Sequence, residues 1–110
     1  MSDRIASLLA MLDKRPTDAR LRFGLAAEYE KLGRWDDVVQ QLRAYLETTD
    51  DEGNAWGRLG RALRELGRDE EARNALTQGI DAARRHGHPS MAAEFEETLQ
   101  AWEPGSGTSA

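Results

Sequence analysis

Paired acids, a pair of histidines and a run of arginines are the side chains of this sequence whose types and spacing bear on chemistry. Asp36-Asp37 and Asp69-Glu70-Glu71 set carboxylates side by side, as general acid–base work requires. Each run also opens a predicted helix, where negative charge complements the unpaired N–H groups of the first turn, and that role accounts for both. His86 and His88 are of metal-ligand type, but they flank Gly87 in a turn with no third ligand nearby, so they read as solvated turn residues. Arg58, Arg61 and Arg64 recur at every third position; the first two share a helix face, where Arg58 can fork onto a carboxylate with Arg61 assisting. The chain has no cysteine, which excludes disulfides, thiolate metal sites and cysteine nucleophiles. No Ser-His-Asp set, Gly-rich phosphate loop or metal-ligand spacing is legible. The expectation is a protein that is not an enzyme, with no catalytic residue, no metal and no cofactor.

Composition bounds the partners. A chain of 110 residues holds one hydrophobic core. Fifteen basic against twenty acidic residues leave a net charge of -5, which disfavours nucleic acid and anionic membrane surfaces. The longest apolar stretch, Ile5 to Leu12, is interrupted by Ser7, bounded by Asp3 and Asp13, and too short to span a bilayer. Arg4 before it imitates a signal peptide, but the basic flank is incomplete and the apolar residues fall at helical spacing. A cytoplasmic protein is expected.

The elements that must position these side chains are helices. Ile5, Leu8, Leu9 and Leu12 stripe one face of a helix opened by Ser2 or Asp3 and closed by Pro16. Leu21, Leu25, Tyr29 and Leu32 stripe a second, ended by Gly33, the residue that takes the left-handed conformation at least cost. Trp35, Val38, Val39, Leu42, Tyr45 and Leu46 make a third, followed by an acidic turn from Asp50 to Gly53. Trp56, Leu59, Leu63 and Leu66 end at Gly67; Ala72, Leu76, Ile80 and Ala83 follow in a helix that Asp69 is placed to cap. After the break at His86 to Pro89, Ala92, Phe95, Leu99 and Trp102 stripe a sixth helix. The Trp residues at 35, 56 and 102 each fall on an apolar stripe and read as core rather than as ligand-stacking platforms.

The pattern repeats. Leu32-Gly33-Arg34 returns as Leu66-Gly67-Arg68, and at the same 34-residue offset Leu25 meets Leu59, Leu42 meets Leu76 and Asp37 meets Glu71. A helical hairpin that cannot bury its apolar face alone and stacks on a copy of itself gives such a period. Trp56-x-x-Leu59-Gly60, the turn glycine Gly67 and the small Ala72 resemble the tetratricopeptide repeat family. Leu63 replaces the tyrosine of that motif; the first unit, with Leu25, Ala26, Tyr29 and Gly33, has Arg22 for the tryptophan and Val38 for the small residue. The resemblance implies an all-α fold of about six helices, antiparallel hairpins stacked as a short right-handed superhelical solenoid. Its parts would be a half-repeat over 2–16, repeats over 17–50 and 51–86, and a capping helix over 89–103, with 104–110 a disordered tail. A strict 34-residue step would turn Glu94 and Glu97 inward; two extra residues in the turn at His86 to Pro89 turn Ala92, Phe95 and Leu99 inward instead.

The resemblance also implies a site. In this family the first helices of successive units line a concave groove that receives a peptide. By register the groove would present Arg20, Phe23, Gly24, Ala27 and Glu30 from the first unit and Asn54, Gly57, Arg58, Arg61 and Arg64 from the second. The peptide-binding candidates are Phe23, Ala27, Asn54, Arg58, Arg61 and Arg64, with the arginines taking an acidic peptide or C-terminal carboxylate and Phe23 and Ala27 its apolar side chain. The competing assignment is structural, with Glu94 and Glu97 of the last helix bridging the same arginines. The Lys and Asn clamp by which some members hold chaperone C-termini is absent, since Phe23, Ala27 and Arg58 replace its residues. The partner is then a protein or peptide. Weak homodimerisation through Phe95, Leu99 and Trp102, or a place as accessory subunit of a complex, is the alternative.

Overall fold

The computed structural model describes residues 3–103, so Ser2 and the tail over 104–110 lie outside the described residues. Six helices follow one another: α1 Asp3–Lys14, α2 Ala19–Lys31, α3 Trp35–Thr48, α4 Asn54–Glu65, α5 Asp69–Arg85 and α6 Pro89–Trp102. Every extensive helix–helix contact joins neighbours in the chain, as in a solenoid rather than a closed bundle. The radius of gyration of 15.1 Å exceeds the roughly 13 Å of a compact domain this size, and the extents are 54 × 30 × 18 Å.

The turn chemistry explains the hairpins. Gly33 and Gly67 take φ of 70° and 76°. Around each, the amide of the following arginine donates five residues back, Arg34 to the Tyr29 carbonyl at 3.0 Å and Arg68 to the Leu63 carbonyl at 2.9 Å, while the glycine amide reaches Glu30 or Arg64. This is a Schellman ending, which satisfies carbonyls the helix leaves unpaired. Gly87 repeats it with φ 77° and a bond from His88 to Ala83 at 2.7 Å, so the histidine turn is a third helix stop.

Helix starts are less uniform. Asp69 does not cap α5: the cap position is Arg68, without a side-chain cap bond, and Asp69 lies inside the first turn. Instead the residue before each second helix pairs with the acid three positions on, Arg34 with Asp37 at 2.8 Å and Arg68 with Glu71 at 2.9 Å. The acids at Asp37 and Glu71 thus hold the turn as well as the dipole. In the α3–α4 loop the buried Asp51 accepts from the amides of Gly53 and Ala55, both at 2.8 Å, and serves α4 in place of a cap.

The core runs along the stack. Leu25, Val38, Leu42 and Leu63 are fully enclosed, and Ala26, Ala62, Ala72 and Ala75 let the helices approach closely. All three tryptophans are partly buried, packed against this core. A smaller cluster of Ile80, Ala83 and Ala92 with Met91, Phe95 and Leu99 seats α6, while Glu94 and Glu97 stay exposed, as the two-residue turn insertion requires. No helix among the described residues is long and apolar enough to cross a membrane.

Candidate functional site

The first helices of the units, α2 and α4, and the last helix α6 border a shallow depression of about 190 Å³ lined by Glu30, Asn54, Gly57, Arg58, Arg61 and Phe95. Three of the six candidates, Asn54, Arg58 and Arg61, meet there. Phe23 stands beside them: the Arg58 guanidinium lies 5.1 Å from its ring centroid, and the same ring packs at a tilt on Tyr45, centroids 5.1 Å apart. Ala27 lies half-buried on α2 between Phe23 and Glu30, at helical spacing from both. Arg64 is elsewhere. It covers the Trp102 ring at 4.8 Å and approaches Asp69 at 3.9 Å, at the far end of α4. Gly24 also leaves the set, because a Cβ there would touch Leu8 of α1.

Gly57 shapes the depression. A Cβ on it would come within 2.6 Å of the Phe95 ring, so only glycine lets the aromatic edge lie flat against α4. Phe95, expected as an inward-facing residue or as part of a dimer patch, both seats α6 and forms one wall of the groove. The signal for its second role is the glycine at the matching height of α4, a pairing across helices that the sequence does not display.

Electrostatics in the groove differ from the expectation. Arg58 donates from Nε and Nη2 to one oxygen of Glu30, at 3.1 and 2.5 Å, and Arg61 stands 3.9 Å from the other. Neither Glu94 nor Glu97 pairs with an arginine among the described residues. The Phe95 ring takes the α6 side of the groove, so Arg58 turns across to α2, where Phe23 offers a ring face and Glu30 a carboxylate. The bridge from α6 is made by Glu96, which accepts from Arg84 of α5. Arg61 keeps a second support, the Trp35 ring at 5.5 Å. The arrangement can hold a carboxylate between two guanidiniums beside aromatic surface. His86 pairs with Asp50, and no group of three or more His, Cys, Asp or Glu suited to a metal occurs among the described residues.

No family model matches the chain. It is similar to a TPR repeat-containing protein of Pseudomonas aeruginosa, PA0015, at 34% identity over 95 residues, 86% of this chain and 89% of that protein. In structure it is similar to protein BPP2914 from Bordetella parapertussis, with a TM-score of 0.76 and 30% identity, covering 92% of this chain and 88% of that one. With its 34-residue period, its paired Schellman turns and a relative that spans nearly its whole length, the chain belongs to the tetratricopeptide repeat family.

Proposed function

We propose that this protein is a non-catalytic interaction module that receives a peptide segment of a partner protein in the groove between α2, α4 and α6. The observation that supports this most is the convergence of Arg58 and Arg61 on one carboxylate, with Phe23 on one side and Phe95 on the other. A peptide laid there meets guanidiniums for an acidic group, aromatic faces for an apolar one and the Asn54 amide at the mouth. The proposed contact set is Phe23, Ala27, Asn54, Arg58 and Arg61, with Arg64 reached only by a ligand that extends to the Trp102 end.

The test is capture from the source cell's lysate by the wild type, by Arg58→Gln/Arg61→Gln, and by a Lys14→Gln/Arg15→Gln control at the exposed end of α1. Glutamine is preferred to glutamate because a reversed charge would face Glu30 and confound binding with repulsion. Loss of a partner by the groove variant alone, with helicity unchanged by circular dichroism, is the expected result. A partner set identical in all three proteins would move binding off this groove.

A further inference from the structure

Glu30 already sits where an incoming carboxylate would go, and we propose that it is a built-in competitor: an acidic partner group binds by exchanging with Glu30 on Arg58 and Arg61. The inference rests on the groove reading above and adds its control. Among the described residues, pairs such as Arg34–Asp37 and Arg68–Glu71 are local and hold the helix starts. The Glu30 pair joins α2 to α4 across 28 residues inside the depression, with side chains only 16% and 30% exposed.

The three charged groups are not held alike. Arg58 rests on the Phe23 ring and Arg61 on the Trp35 ring, contacts that do not involve Glu30. Among the described residues the Glu30 carboxylate accepts hydrogen bonds only from Arg58 and has Arg61 as its other ion-pair partner. When its side chain swings out, the guanidiniums keep their places and the carboxylate is the movable member. An entering carboxylate then restores the same bonds, whereas a neutral or basic peptide would have to leave Glu30 in place. Binding is thereby selective for acid and weakened by the fraction of time the pair is closed: if closed nine times in ten, apparent affinity falls about tenfold.

The experiment compares wild type, Glu30→Gln and Arg58→Gln, each checked for helicity, in titrations with a short acetylated peptide carrying two glutamates and a free C-terminus. The peptide's glutamine, C-terminally amidated counterpart is the control, and the Arg58 Nε–H resonance is followed by NMR. Exchange predicts that Glu30→Gln binds the acidic peptide about tenfold more tightly than wild type, that the control peptide gains nothing, and that Arg58→Gln does not bind. Equal affinity of wild type and Glu30→Gln, with binding lost in Arg58→Gln, would overturn the exchange and leave the groove reading standing. Affinity that survives in Arg58→Gln, or no binding by Glu30→Gln even at millimolar peptide, would overturn both.

Discussion

Asp50 and Asp51 are adjacent, chemically identical and differently used. Asp51 is buried on two amides of the α4 start, while Asp50 is exposed and reaches the end of α5, 3.2 Å from His86 and 3.5 Å from Arg85. The bond from His86, with Arg85 adding to it, holds the Asp50 carboxyl below its ordinary value of 3.8. A depressed carboxylate contributes stability that is complete above the unfolded value and disappears as pH falls through the folded one. Asp50→Asn is therefore expected to lower the melting temperature slightly at neutral pH, and the gap to wild type should close as pH drops below about 4. Parallel melting curves down to about pH 2 would show instead that the loss is steric. The sequence showed an acidic turn at this point. It could not say which acid would serve the α4 start in place of a cap, because residue type is the same and only burial separates them. The same holds in the groove: Glu30, Arg58 and Arg61 were legible as groove residues, but their mutual pairing depends on how far apart α2 and α4 stand.

At the level of elements, periodicity was enough. All six helices fall where the apolar stripes and the Gly stops place them, because most stripe residues find the core, Leu9 and Leu32 being exposed, and Gly33, Gly67 and Gly87 take a positive φ that other residues resist. The departures from the repeat pattern carry a lesson of their own. Arg22, in the register of Trp56, donates to the Gln41 side chain at 3.2 Å and to the Pro16 carbonyl at 3.3 Å. Gln41 is itself buried and stands in the register of Ala75, which together with Trp56 lines a separate cleft between α3, α4 and α5. The first unit thus replaces a Trp–Ala pair with an Arg–Gln pair, two substitutions that make sense only together. Arg22→Trp alone leaves Gln41 buried without its donor and is expected to cost about 1–3 kcal/mol. Arg22→Trp/Gln41→Ala should recover much of that, with a coupling of about 0.5–3 kcal/mol in urea denaturation. Strict additivity of the two single changes would remove the paired reading.

The described residues form a stack whose outermost helices are α1 and α6, and a solenoid must prevent exposed end faces from stacking on copies of itself. At one end α6 turns Glu94 and Glu97 to solvent. At the other, the decisive position is Arg4, which shares its register with Val38 and Ala72, both fully buried. Ala72 shows what that register faces: its carbonyl lies 3.3 Å from where Gly60 of α4 would carry a Cβ, so the position meets the preceding helix of a hairpin. A helix placed on α1 as α4 lies on α5 would have to bury the Arg4 guanidinium, which instead turns to Glu28 at 3.0 Å. The exposed Leu9 and Met11 do not make up a docking face, since two residues of helix separate them by about 200°. Arg4→Leu removes the charge and supplies an apolar side chain worth about 1.5–3 kcal/mol when buried, enough for about a tenfold or greater gain in self-association. The Arg4–Glu28 pair, whose arginine is largely exposed, is a small loss by comparison, and Lys31 remains 3.2 Å from Glu28. Sedimentation over a wide concentration range is expected to show the variant associating where wild type does so less or not at all. Equal behaviour of the two proteins would mean that Arg4 does not guard this end, and the surface that limits assembly would have to be sought on α6.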